Sequence, residues 1–256
     1  MIAIVWLLVT TAAIAASPPP PASPDASAAA PRKRKKPAKP TEPQRLPPDL
    51  KVPVYTAGPL PFREGQRLTY RAAWLGIPVA EARVELHARR DDPATLTAEA
   101  WVETNRFADL FFRMRDYMKE DMSRATLQTR EVYFLQHENE RLNEYFVTFD
   151  RSADLVTAVK KNRKGQSQKR FYGNNGYGPL TGAMMALTQP GGPGSVFMFD
   201  VFTGNHRYVF DFKVAKVERI TVPAGVFDAY RIVPGIVYLS DEDLRKKSRY
   251  TLVWVS

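Results

Sequence analysis

The sequence predicts a mainly β fold: a curved antiparallel sheet or an open β-barrel with two short helices packed over it. Three observations carry that expectation. Apolar and polar residues alternate at period two through most of residues 64–255, turn residues recur at short intervals, and the period changes to 3.6 in only two places. The densest stretch is 195–234. There Val196, Met198, Asp200 and Phe202 fall on one side of an extended segment, and Phe197, Phe199 and Val201 on the other. This segment is apolar on nearly both faces, so a central strand covered on each side is expected. Gly204-Asn205 tolerates the positive φ of a two-residue hairpin turn, and Tyr208, Phe210, Phe212 and Val214 then alternate with Val209, Asp211 and Lys213.

The chain opens on MIAIVWLLVTTAAIAA, which carries no charge. Ala13-Ile14-Ala15 before Ala16-Ser17 has the A-x-A form of a cleavage site. The run is shorter than the about 20 apolar residues that span a bilayer, so residues 1–16 are expected to be a signal peptide. Residues 17–53 hold 12 of the 21 prolines and almost no large apolar side chain. Such a segment buries too little surface to offset its ordering entropy, and a disordered Pro/Ala-rich linker is expected. Within it Arg32, Lys33, Arg34, Lys35 and Lys36 form a dense basic run. It would serve as an electrostatic contact to an anionic envelope surface or as a solubilising spacer.

A single β-rich domain is expected over 54–256. Leu68, Tyr70, Ala72 and Trp74 share one strand face, and Ala80, Ala82, Val84 and Leu86 share the next, across a turn at Gly76-Ile77-Pro78. Leu96, Ala98, Ala100 and Val102 mark a third strand. Then Phe107, Leu110, Phe111 and Met114 recur at helical spacing after Thr104-Asn105, which predicts a short helix over 106–113. Extended segments resume at Arg115 and recur at 131–136, 144–150 and 155–160; residues 160–165 read as a basic hairpin tip. The glycine-rich 171–178 matches no phosphate-binding loop and leads into a second helix at 180–188, with Pro179 at its first turn and Pro190 as its stop. The last strand begins near Ser248, and the chain stops inside it, so a truncated C-terminus is expected.

Composition narrows the function. The charge is 37 − 27 = +10, and residues 1–53 supply +5 of it from eight Lys/Arg against three Asp/Glu. With no cysteine there is no disulfide, thiol nucleophile or Cys-based metal site. His87, His137 and His206 stand alone in sequence, outside any HExxH or HxH pattern, and GPGSV around Ser195 is not a GxSxG elbow. Asp116, Glu120 and Asp121 lie among Arg113, Arg115, Lys119 and Arg124, a pattern that surface ion pairing explains. No catalytic residue, metal, cofactor or nucleic-acid partner is expected.

Several pieces in order resemble the bacterial envelope family called domain of unknown function 3108, over roughly residues 60–256. They are Glu64-Gly65 before Leu68-Thr69-Tyr70, Trp74-Leu75-Gly76, Gly178-Pro179-Leu180, Val222-Pro223-Ala224-Gly225-Val226-Phe227 with Tyr230-Arg231-Ile232, and Leu252-Val253-Trp254-Val255-Ser256. The resemblance implies a secreted, periplasmic, β-rich domain and supplies no activity. The strand order is also similar to the half-open barrels of lipoprotein carriers, a likeness of fold alone. The leading expectation is a non-enzymatic envelope protein. It would bind or carry a lipid or other apolar ligand in a concavity lined by Phe107, Leu110, Phe111, Met114, Met184, Met185 and Leu187. The alternative is a scaffold gripping anionic envelope polymer or membrane through the basic tail; a third class is an unrecognised hydrolase.

Overall fold

The computed structural model describes residues 42–173, 175–222, 224–241 and 253–255. The expected signal peptide, most of the linker and its basic run lie outside the described residues. Eight strands follow one another as a meander: β1 (Arg67–Trp74), β2 (Ile77–Ala88), β3 (Thr95–Thr104), β4 (Arg115–Ser123), β5 (Thr129–Glu138), β6 (Arg141–Asp150), β7 (Leu155–Asn162) and β8 (Gly165–Tyr172). Each pairs antiparallel with the next in a single sheet. β1 and β8 are its opposite edges, so the barrel alternative does not close. A second antiparallel sheet has the order β12-β11-β10-β9, from β9 (Val196–Thr203), β10 (His206–Val222), β11 (Gly225–Leu239) and the short β12 (Val253–Val255).

Turn chemistry and alternation set the registers. Leu75 and Gly76 both take positive φ (50° and 81°), which folds β1 directly onto β2. Inward-facing Val84, Ala98, Met118, Val132, Val147 and Val156 lie in adjacent strands and are all buried. Outside, Trp101, Tyr117, Tyr133 and Phe146 stand on neighbouring strands with ring centroids 5.1–6.0 Å apart. Arg83 lies over the Trp101 ring and Lys161 over the Phe146 ring. This cross-strand ladder is the ordinary unit of sheet stabilisation.

The helix of residues Pro179–Leu187, α1, lies against the inner face, and every residue from Pro179 to Met185 is buried. A helix apolar all round belongs to a core. The second sheet closes the remainder: Phe202 meets Phe149 and Phe171 edge-on at 5.7 and 5.4 Å. The segment before β1 also takes part. Gln44, inside the stretch read as linker, bridges in parallel to Phe171, and Arg45 sits 3.8 Å from the centre of the Tyr172 ring. Tyr55 stacks on Phe199 at 4.6 Å.

Three expectations need correction. The helix expected over 106–113 is a single 3-10 turn, Ala108–Leu110, with no buried residue. It lies in the β3–β4 connection, where Phe107, Leu110 and Phe111 stay exposed and give a longer helix no buried stripe to rest on. Thr104, Asp109 and Arg115 tie the connection closed, with Arg115 Nη2 2.5 Å from Asp109 Oδ2. β9 is an edge strand of its sheet and not a central one; over Phe199–Phe202 both its faces are buried, and Tyr177 bridges to Val201 along its open edge. β8 has no counterpart among the expected strands, since most of GQSQKRFY is polar; its register comes from β7.

Candidate functional site

The interior has two ends of different character. At one, α1 is wedged between the sheets and its first turn is held from outside its own segment. Glu120 of β4, fully buried, accepts hydrogen bonds from the Leu180 N–H at 2.7 Å, the Thr181 N–H at 2.9 Å and the Thr181 hydroxyl at 2.7 Å. A carboxylate at a helix N-terminus satisfies orphan N–H groups and complements the helix dipole. Burial nevertheless outweighs the three donors and raises its pKa to about 7. A side chain at Gly178 would collide with this carboxylate and with Val132, and one at Gly176 with Phe202. Close approach is what Gly176 and Gly178 serve.

A buried ion pair stiffens the neighbouring sheet. Arg207 Nε donates to Asp200 Oδ1 at 2.9 Å, Nη2 to Oδ2 at 2.6 Å, and Nη1 to the Tyr172 carbonyl at 2.7 Å. Gly173 fits because a Cβ there would stand 2.7 Å from Arg207 Nη2. Arg151 donates to the Thr129 and Gly176 carbonyls and pins the same loop. An apolar cleft opens beside α1 between β1, β2 and β3, lined by Phe62, Leu68, Val84, Leu86, Leu180 and Met184. Its volume of about 20 Å³ holds roughly one water molecule.

At the other end the inner face turns polar in several strands at once. Beyond Phe134 come Gln136 and Glu138, beyond Tyr145 comes Asn143, beyond Ala158 come Lys160 and Asn162, and Asp116 precedes Met118. Asn162 donates to Asn143, Asn143 to Gln136 and Gln136 to Glu138, at 3.1–3.3 Å. The Tyr145 hydroxyl also reaches Gln136, and Lys160 stands over the Tyr145 ring. Asp116 accepts the His137 N–H at 2.8 Å, and burial pushes its pKa up to about 7. Burial, reinforced by Lys169 and Lys160 and opposed by Asp241, lowers His206 to about 4. Thus Asp116 and Glu120 are buried backbone anchors, not the surface ion pairs their neighbours in sequence implied. They point inward because even-numbered residues of β4 do. Among the described residues no group of three or more His, Cys, Asp or Glu side chains could hold a metal ion.

The seven residues expected to line one concavity do not come together as one group. Met184 and Met185 are buried on α1, with Leu187 half-buried at its end. Met114 is buried where it bridges to Glu138. Phe107, Leu110 and Phe111 are exposed in the β3–β4 connection. That connection precedes Arg115, whereas α1 meets β4 at Glu120; five residues of strand separate them by about 17 Å.

Those three residues join others at the hairpin tips. Leu75 is 84 % exposed, Leu110 78 %, Phe111 77 % and Trp74 64 %, with Ile77 and Phe107 also exposed. Asn105 ties the tips together: its side chain donates to the Pro78 carbonyl and its N–H to the Val79 carbonyl. Farther along, Asn139 of the β5–β6 turn exchanges two 2.8 Å hydrogen bonds with Arg113. Sequence reasoning missed Trp74, Leu75 and Ile77 as site residues. An uninterrupted apolar tip, Trp74-Leu75 before Gly76-Ile77-Pro78, is the signal that marks them.

A family model described as "Protein of unknown function (DUF3108)" matches residues 69–256. Neither the curated proteins nor the solved structures contain a match.

Proposed function

The chain belongs to the DUF3108 family of proteins of unknown function, and from that premise we propose that it is a secreted, periplasmic, non-enzymatic envelope protein that works by surface contact with an apolar or amphiphilic partner. The observation that carries this reading is where its large apolar side chains are spent. The space between the sheets is filled by α1 and by Phe171, Phe199 and Phe202, while Trp74, Leu75, Leu110 and Phe111 are exposed on two tips that Asn105 joins. Contiguous exposed apolar residues mark interaction surfaces. The double variant Leu110→Ser/Phe111→Ser tests it. Loss of co-sedimentation with the envelope fraction, at unchanged melting temperature, supports surface contact; undiminished co-sedimentation refutes it.

A second reading, carriage of an apolar ligand, draws on the cleft beside α1. At about 20 Å³ it admits an acyl chain only if α1 moves away from β1–β3. Met184 in its wall is the kind of flexible side chain that adapts to such a ligand. Native mass spectrometry of the protein purified from its envelope tests this: a co-purifying lipid supports carriage, and bare protein with no uptake of an apolar fluorophore rejects it.

A further inference from the structure

We infer that the hairpin-tip end of the eight-stranded sheet docks on an anionic bilayer surface, with apolar side chains entering the headgroup–acyl boundary and a rim of cations facing lipid phosphates. This rests on the surface-contact reading and names its partner. Three successive tips on the same end, at 74–78, 105–114 and 139–142, are joined by the Asn105 and Asn139 hydrogen bonds. They form one connected platform, not independent loops. The fourth, at 161–165, is tied to the third where Asn162 donates to Asn143 at 3.3 Å.

Composition changes across this platform. The first tip, Trp74-Leu75-Gly76-Ile77-Pro78, carries no charge, and the second adds exposed Phe107, Leu110 and Phe111, two of whose rings pack edge-on at 5.8 Å. The cations lie beside and beyond: Arg106, Arg113, Arg141, Lys161, Arg163 and Lys164, all exposed. None of the six forms an ion pair with a carboxylate among the described residues. Within the four tip segments Asp109 is already neutralised by Arg115, which leaves Glu140 against six cations, or 6 − 1 = +5; exposed Glu103 stands just outside them near the end of β3. An apolar tip bearing a tryptophan and flanked by uncompensated lysine and arginine fits the interfacial zone of a membrane, where indole rings sit at headgroup level and basic side chains meet anionic lipid. A soluble protein partner would have to match that positive rim with its own acidic surface; a bilayer containing phosphatidylglycerol supplies the opposite charge and the apolar medium together.

The test is co-sedimentation of the full chain with vesicles of phosphatidylcholine alone and of phosphatidylcholine containing roughly one phosphatidylglycerol in three, each at low and at high salt. Binding to the anionic vesicles is expected, weaker at high salt, with a blue shift of tryptophan emission that Trp74→Phe removes. Leu110→Ser/Phe111→Ser should weaken partitioning tenfold or more with unchanged circular dichroism and melting temperature, and Arg163→Glu/Lys164→Glu should remove much of the salt dependence. Equal binding by the serine variant, or no binding of the wild-type chain to anionic vesicles, overturns the inference. If the wild-type chain ignores vesicles yet its co-sedimentation with protein-containing envelope still depends on Leu110 and Phe111, the bilayer is the wrong partner and surface contact stands. If that dependence is also absent, both fall.

Discussion

The α1 end and the hairpin-tip end belong to the same eight strands, yet they spend their residues in opposite ways. Around α1, buried charged side chains are hydrogen-bonded: Glu120 holds the helix, and Asp200 and Arg207 hold each other. At the tips, apolar residues stand exposed and six cations have no carboxylate partner among the described residues. Buried, hydrogen-bonded charge makes an arrangement costly to disturb, whereas an exposed leucine adds little to folding. The difference teaches that stability and contact are separable in this molecule, and variants at the two ends should separate them.

The largest break is expected at the buried pair. Arg207→Ala leaves Asp200 enclosed and uncompensated and removes the donor to the Tyr172 carbonyl, which should destabilise the fold by about 3–5 kcal/mol in denaturant unfolding. A loss below about 1 kcal/mol would show that the pair is not desolvated as described. Next comes Glu120→Ala, which strands the Leu180 and Thr181 N–H groups and should cost about 2–3 kcal/mol.

Proton linkage sharpens the contrast. Asp116 and Glu120 both titrate near pH 7 in the folded protein, above their ordinary values of 3.8 and 4.5. Raised carboxylates bind protons more tightly when folded. Their stabilising contribution is therefore full below about pH 4 and lost as pH rises through 7. The melting temperature should fall between pH 5 and pH 8, and Glu120→Gln should flatten that slope; a slope unchanged by the substitution would remove Glu120 from the account. The smallest effect on folding belongs to the tips. Leu110→Ser/Phe111→Ser should change stability by no more than about 0.5 kcal/mol, and deletion of residues 31–39 should reduce only the salt-sensitive part of envelope binding.

Much of the fold was legible because alternation and turn residues coincide. Leu68 through Leu86 and Tyr208 through Val214 declare their faces without help from distant contacts. β8 was not legible, since its place depends on pairing with β7 and on Phe171 reaching Phe202. Period alone also misled at Phe107, Leu110 and Phe111. Their spacing fits a helix, but nothing local says whether a helical stripe has a sheet beneath it, and here the connection lies beyond the sheet's end. The polar inner end was readable only in registration: Gln136, Asn143 and Asn162 are distant in sequence and become one row when β5, β6 and β7 pair. The buried role of Glu120 depends on the arrival of α1 some sixty positions later, which no local pattern announces.

Hydrogen–deuterium exchange of the full chain, with and without envelope lipid vesicles, tests the division most directly. Surface contact predicts new protection confined to the hairpin tips, strongest at residues 74–78 and 105–113, with exchange across Pro179–Leu187 unchanged. Accelerated exchange in α1 with unaltered tips would contradict it and would place the ligand inside.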